Sequence, residues 1–365
     1  MTACQSSQIN VLMLPDNREA NPYQALLAKS LEKYGVNVSF PQGYRRVFPL
    51  FREVIFSQKH YNLIHLHWIL PYLKGKNSFL KAAYTVKFLL DVALVKLTGV
   101  KIVWTIHNRV NHDSNFPTME LWVRRNLAKI VDSIILHNQA TLDTIVQDYQ
   151  FSHKKASVIL HGHYRDVYHP PIEQSLAREK LDLPTQGYVF LNLGLLRSYK
   201  GIETLIDTWS KNQNVFSRHT LLIAGKADNI YANKLQQKIA NIKGIVLIPE
   251  FIDEERIHLF FSAATVVVLP YDNILNSGSL ILAMSYGLPV IAPRIGSIPE
   301  YLRNADQLLY ESNDKSGLFK SMEMSLKTNL EELSHNVIKA CDRLDWSKIA
   351  EATAKTYYIA KENNY

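Results

Sequence analysis

The sequence has almost no cysteine. Its two, Cys4 and Cys341, stand far apart in a chain of 365 residues, which argues against a disulfide framework and fits a reducing compartment. Long uncharged apolar runs are also missing. The most apolar long segment, Phe79 to Trp104, carries Lys81, Lys87, Asp91 and Lys96, too many charges for a membrane-spanning helix. Met1 to Gln8 is polar and short, so no secretory signal is read there. No G-x-G-x-x-G follows a predicted strand and no G-x-x-x-x-G-K-[S/T] occurs, so a nicotinamide-binding domain and a P-loop nucleotidase both lose their best sign. No internal repeat, low-complexity tract or nucleic-acid-binding motif is evident, and nucleic acid is not expected as a partner.

What is present describes a globular enzyme. Hydrophobic residues make up 47% and charged residues 20%, and the length exceeds one ordinary core, so two domains are expected. The net charge is +8, and residues 1–100 hold twelve Lys and Arg against five Asp and Glu, so +7 of it sits there. Within that region YRRVFPLFREVIFSQKHY and YLKGKNSFLKAAYTVKF interleave basic and aromatic residues. Such a pattern suits an anionic membrane surface, with the rings at headgroup level; a solvated basic face is the plainer alternative.

Apolar runs alternate with helical periodicity along the chain. Strands are predicted at 9–14, 36–40, 61–68, 100–107, 131–138 and 156–164, with helices over 21–35, 78–97, 118–130 and 139–149 between them. Two prolines and a polar stretch at 168–187 read as a connection between domains. The alternation then restarts with strands at 188–194, 219–225, 244–249, 264–270 and 289–293 and helices at 200–211 and 278–286. An amphipathic helix over 345–360 ends the chain. Alternation of this kind predicts an α/β protein of two doubly wound Rossmann-like domains, 1–170 and 171–344, facing a central cleft, with 345–365 as a terminal helix.

Two segments of the second domain carry charge chemistry. In LNLGLLRSYKGIETLI a strand ends at Gly194, and Arg197 and Lys200 flank the start of the next helix, where both cations suit phosphate oxygens. In NILNSGSLILAMSYGLPVIAP a bare turn, Asn276-Ser277-Gly278-Ser279, opens a helix. It is an ordinary N-cap or an anion site at a helix N-terminus. Taken together the two segments suggest a diphosphate site, provided they meet at one sheet edge.

In the first domain His107 ends a strand, where a neutral imidazole can bond a sugar hydroxyl or a phosphate, or serve only the fold. His67 also ends a strand, and His65 has the same parity. Asp16, Asn17, Arg18 and Glu19 follow the first strand; Asp16 or Glu19 is a candidate general base for an inverting reaction, or the stretch is a charged turn. HGHYRDVYH, with Arg165, has no recognised metal-ligand spacing and reads as a hinge element, so no metal site is predicted.

GLLRSYKGIETLIDTW, LLIAGKAD, IPEFIDEERIHLFFSAATVVVLPY, NSGSLILAMSYGLPVIAPRIGSIPEYL and VILHGHYRD together resemble the GT-B glycosyltransferases, and within them the glycogen-synthase-like group, family 4. The resemblance covers roughly 9 to 303 and is most specific in the second domain. It implies that the second domain binds a nucleotide-diphosphate sugar as donor substrate, that Arg197 and Lys200 hold its diphosphate, and that His107 contacts the donor sugar. It also implies that the terminal helix with Trp346 packs across the first domain. One departure stands out. The family often has two glutamates, eight positions apart, where this chain has Ile274 and Leu282, so Asn276, Ser277, Gly278 and Ser279 are the groups available there. Similar Ser-Gly variants resemble the β-mannosyltransferase branch of bacterial polysaccharide assembly.

The expected activity is transfer of a hexose from a nucleotide sugar to a lipid-linked or polysaccharide acceptor, at the cytoplasmic face of a membrane and without a metal cofactor. The alternatives are a nucleotide-sugar epimerase of the same fold and a non-catalytic subunit that binds nucleotide sugar.

Overall fold

The computed structural model describes residues 8–41, 47–109 and 115–362; Cys4, Arg45 and Arg46 lie outside the described residues. Two compact units are present. One comprises the chain through Gly162 and again from Asp345, and the other is His163–Leu344. The division falls earlier than residue 170. His163 N–H donates to the Leu344 carbonyl (3.0 Å) and Tyr164 N–H to Ser285 Oγ (2.9 Å), which ties residues 163–170 to the second unit.

The first unit is built on six parallel strands, β1 Ile9–Leu14, β2 Val36–Ser39, β3 Leu63–Leu66, β4 Lys101–Ile106, β5 Ser133–Leu136 and β6 Ala156–Val158, in the order β2-β1-β3-β4-β5-β6. β1 is buried on both faces except at Asn10, as expected of a strand covered by helices on each side. The last strand is shorter than the apolar run 156–164 suggests. It is an edge strand, and the last backbone bond to its neighbour is from Ile159 N–H to the Leu136 carbonyl (2.8 Å). The helix Trp346–Glu362 packs on the helix Tyr23–Leu31. Trp346, Ile349, Ala350, Ala354, Tyr357 and Ala360 share one apolar cluster with Val11, Met13, Leu27 and Leu31.

The charges that interrupt the apolar run after Phe79 have structural partners in the helix Ser78–Leu97. Lys81 is buried, donates to the Leu73 carbonyl (2.8 Å) and lies 3.7 Å from Glu120. Asp91 accepts the Leu50 and Phe51 N–H groups (3.0 and 2.9 Å), so a carboxylate from another helix caps the helix Pro49–Phe56, which has no cap of its own. No described helix is long and apolar enough to cross a membrane.

The second unit repeats the plan with β7 Val189–Leu193, β8 Thr220–Ala224, β9 Ile245–Ile248, β10 Val266–Val268, β11 Val290–Pro293 and β12 Leu309–Tyr310, ordered β12-β11-β10-β7-β8-β9, all pairs parallel. The connection after residue 168 contains a short helix, Gln174–Lys180. Its buried Arg178 donates to the carbonyls of Ala263, Thr185 and Gly187 and to Thr265 Oγ1.

Candidate functional site

In the second sheet β7 and β10 are neighbours, and the chain reverses its direction of winding between them. Ligands of open α/β sheets bind at such a switch point, beyond the carboxyl ends of the strands. The loops after these two strands carry Gly194, Arg197 and Lys200 on one side and Asn276 to Ser279 on the other. The Lys200 and Asp272 segments are joined directly, since Asp272 N–H donates to the Tyr199 carbonyl (3.3 Å).

Gly194 defines the meeting point. A Cβ built there would lie 2.8 Å from Ser279 Oγ and 3.2 Å from Lys200 Nζ, and its φ of +143° already excludes most side chains. The turn and one of the two cations therefore face one small space. Close packing of backbone enforces this: a Cβ on Gly201 would strike the Pro270 carbonyl, and one on Gly225 the Gly194 carbonyl, each at 1.8 Å.

Ser277 caps the helix Gly278–Ser285. Its Oγ accepts the Leu280 N–H (3.0 Å) and pairs with the buried Tyr271 hydroxyl (2.8 Å). The N-cap reading thus holds for Ser277, while the space beside Gly278 stays open, with no heavy atom within 4 Å of a Cβ placed there. The helix tip is bare toward that space and carries the positive end of the helix dipole.

Lys200 is half-buried, and its ammonium has no hydrogen-bond or ion-pair partner among the described residues. Desolvation, with a smaller contribution from Arg197, brings it down to about 8. Arg197 is held differently: its guanidinium donates to Asp228 (3.1 Å), whose other oxygen caps the helix Asn229–Ile239 at Tyr231 N–H (2.9 Å). Asp228 is a member of the site that the residue reading missed. Its signal was legible as an aspartate opening a helix after LLIAGKAD.

In the first unit Asp16 lines a cavity of about 530 Å³ beyond the ends of β1 and β3, with Arg18, Glu53, Pro71 and Tyr72 among the other walls. The Arg18 guanidinium grips both Asp16 oxygens (2.9 and 2.8 Å) and holds the carboxyl below its ordinary range. The carboxylate is therefore a paired group and a weaker proton acceptor than a free one.

His107 follows β4. Its Nε2 is 3.0 Å from His67 Nδ1 and its Nδ1 is 3.3 Å from His137 Nε2, and Trp68 stacks on the ring at 4.4 Å. Both ring nitrogens are thus engaged inside the unit. His65 is a structural group between Thr105 Oγ1 (2.7 Å) and the Tyr357 hydroxyl (2.6 Å) of the terminal helix. Burial lowers every histidine of this group: His65 and His161 to about 3, His137 to about 4, and His67 and His107 well below the usual value. His137 was missed in the residue reading, although LHW, IHN and LHN repeat an apolar residue and a histidine at three strand ends. Among the described residues no group of three His, Cys, Asp or Glu side chains is placed to hold a metal ion.

Residues 173–343 match the family described as Glycosyl transferases group 1. Over 98% of this chain and 94% of the other, the sequence is 28% identical to a GDP-mannose:glycolipid 4-beta-D-mannosyltransferase of Xanthomonas campestris pv. campestris. Among solved structures, the sucrose-phosphate synthase of Thermosynechococcus elongatus superposes with a TM-score of 0.73 at 18% identity, over 96% of this chain and 98% of that one. Anabaena Alr3699/HepE, solved with UDP and glucose, gives the same TM-score and identity over 96% and 100%.

Proposed function

We propose that the protein is a two-domain GT-B glycosyltransferase that moves a mannosyl residue from GDP-mannose onto a glycolipid hydroxyl, a reading supported by the match of residues 173–343 to Glycosyl transferases group 1 and by the likeness to a glycolipid mannosyltransferase. The enzyme class, a nucleotide-sugar-dependent hexosyltransferase, follows from the family; the sugar, base and acceptor are the proposal. One observation carries the donor site. A desolvated ammonium without a partner, Lys200, lies beside Ser279 and an open helix tip. A cation in that setting is stabilised by an anion, and a sugar nucleotide supplies two adjoining phosphates.

In this reading Lys200, Arg197 and the N–H groups at Gly278 and Ser279 hold the diphosphate at the end of β7, with Asn276 beside them and Gly194 leaving room for it. As the bond from the sugar C1 to the diphosphate breaks, negative charge grows on the leaving oxygen, and the same groups stabilise it in place of a metal. A β-linked product from an α-linked sugar nucleotide inverts C1, so the acceptor hydroxyl attacks directly and gives up a proton. The cavity lined by Asp16 receives the acceptor, with Asp16 as a binding carboxylate, and His107 braces the sugar side through its ring.

The acceptor is a lipid, and the first unit has a surface suited to reach it. Phe79, Val86, Leu90 and Leu97 are exposed along one stripe of the helix Ser78–Leu97, with Leu97 83% and Phe79 79% accessible. Exposed Phe56, Arg52, Lys74 and Lys76 belong to the neighbouring segments. Apolar residues beside lysine and arginine complement an anionic bilayer surface, and we assign the stripe to peripheral docking at the cytoplasmic face.

The test is incubation of the full chain with labelled GDP-mannose, a panel of other nucleotide sugars and a lipid extract. Label in the lipid fraction from GDP-mannose is the expected result. Isomerised donor, or binding without turnover, overturns the assignment. The Lys200→Met variant should lose about 10²- to 10³-fold in kcat, the loss typical of removing one group that stabilises transition-state charge.

A further inference from the structure

Tyr271 is a buried polar side chain beside the donor turn, and the reading above gives it no role. It stands three residues after β10, is 4% exposed, and pairs through its hydroxyl with Ser277 Oγ (2.8 Å). A phenylalanine would fill the same volume, so apolar packing does not explain the hydroxyl, and burying one is unfavourable unless it is bonded. Burial pushes the Tyr271 phenol up, and hydrogen bonding by Ser277 and Ser279 offsets part of that, so the group stays neutral and faces both serines.

The backbone beneath this ring is fixed. Tyr271 N–H donates to the Leu269 carbonyl (2.9 Å), Asp272 N–H to the Tyr199 carbonyl (3.3 Å), and the Pro270 carbonyl packs against Gly201 with no room for a side chain. The ring is therefore anchored in the loop that is joined to the Lys200 segment. From that anchor its hydroxyl meets Ser277 Oγ, which also accepts the Leu280 N–H (3.0 Å) of the helix Gly278–Ser285. The turn is pinned ahead of Ser277 as well. Ser297 N–H donates to the Leu275 carbonyl (3.1 Å), and a Cβ on Gly296 would lie 2.2 Å from the Ile274 carbonyl oxygen. Ser279, two residues beyond Ser277, places its Oγ at the point beside Gly194 that Lys200 Nζ also faces.

We propose that Tyr271 is a positioning residue for the donor diphosphate: its hydroxyl fixes the Ser277 cap, so that Ser279 Oγ stands beside Lys200 and donates to the same phosphate. The inference rests on the donor site proposed above and adds to it a residue that never touches the ligand. A serine hydroxyl at a helix start has three staggered positions, and a buried partner selects one of them. An ammonium and a hydroxyl held around one point offer a phosphate two donors at fixed spacing. Binding then costs less ordering than it would if the turn had to be set by the ligand.

Calorimetry of the full chain with GDP, UDP and ADP reads the donor site without an acceptor. Tyr271→Phe removes one oxygen and keeps the ring, and it should raise Kd for the nucleotide that the wild-type chain binds by about tenfold, the scale of one hydrogen bond to a charged group. In a Ser279→Ala background the same change should cost less than about twofold, because its effect passes through Ser279. Ser277→Gly keeps an acceptable helix start but leaves Tyr271 without its partner, and it should weaken binding by a comparable factor. With labelled sugar nucleotide, Tyr271→Phe should raise KM for the donor and leave KM for the acceptor unchanged. Wild-type affinity in Tyr271→Phe or Ser277→Gly, or a full tenfold cost in the Ser279→Ala background, overturns the proposal. So does a loss of affinity in Tyr271→Phe that disappears on cooling well below its melting temperature, since that would be a loss of fold alone. A wild-type chain that binds nucleoside diphosphate but transfers no sugar removes the function above, and the calorimetry still decides the role of Tyr271; one that binds none of the three removes both.

Discussion

Lys200 connects one residue to a measurable pH dependence. Its ammonium sits at about 8 because it is desolvated and near Arg197. A bound diphosphate favours the charged form, so donor binding should take up a proton above pH 8, and KM for the donor should rise as pH increases through that value. Calorimetry of nucleotide binding in two buffers of different ionisation enthalpy reads the proton directly. The two glycines give a paired test. Gly194→Ala places a methyl group against Ser279 and Lys200 at a φ of +143°, so both stability and donor affinity should fall. Gly278→Ala meets nothing within 4 Å, so stability should stay within about 0.5 kcal/mol while a ligand on the helix tip is crowded. Unchanged nucleotide affinity in Gly278→Ala would show that no anion approaches the tip.

At the scale of the element, the helix Ser78–Leu97 serves two purposes on two faces. Its inner face buries Phe88, Val92 and Val95 and supplies Asp91 as the cap of its neighbour. Its outer face is the apolar stripe. Replacing Phe79 and Leu97 together by Asp should reduce cosedimentation with anionic vesicles by about tenfold or more, since each change removes apolar burial and adds repulsion. The melting temperature should hold, because both side chains are exposed. Binding that depends equally on neutral vesicles, or is indifferent to these changes, would remove the docking surface. The helix Gly278–Ser285 also divides its labour: Ser277 satisfies the cap, and Gly278 leaves the tip open.

For the whole molecule, the buried histidines set the acid limit of the first unit. Free imidazoles protonate near 6.5, whereas burial lowers His65, His67, His107, His137 and His161 far below that. Between the folded and unfolded values the unfolded chain binds more protons. Stability is therefore complete above about pH 6.5 and declines as pH falls toward 4. The first unit should melt before the second in acid, which differential scanning calorimetry between neutral pH and pH 4 would resolve as two transitions drawing apart. Trp346 ties the chain's end into the same unit: it is 8% exposed and packs so closely on Gly162 that a Cβ there would lie 2.2 Å from the ring. Trp346→Ala should destabilise the first unit by about 3–5 kcal/mol, as loss of a large core aromatic does, and chemical denaturation followed by tryptophan fluorescence would measure it.

The sequence by itself determined the two parallel sheets and pointed to the two segments proposed to hold the donor. Parallel strands are buried on both faces, so they appear as short continuous apolar runs, and the candidate residues of the second unit lie in the loops and helix starts that follow two of those runs. VFLNLG, ending at Gly194, and NSGSL, opening a helix, are local signals of that kind. Local patterning was less reliable where the chain leaves the sheet, and the run 156–164 became a strand of three residues. Tertiary structure alone decided which groups meet. Lys200 and Ser279 are about eighty residues apart, and only the adjacency of β7 and β10 brings them to one point. The pairing of Asp16 with Arg18 is a side-chain geometry that residue types do not fix. The row of histidines depends on the order β3-β4-β5, which brings three distant strand ends side by side. Runs and caps are encoded within a few residues of themselves, whereas a ligand site is a coincidence of distant strand ends that exists only once the sheet has formed.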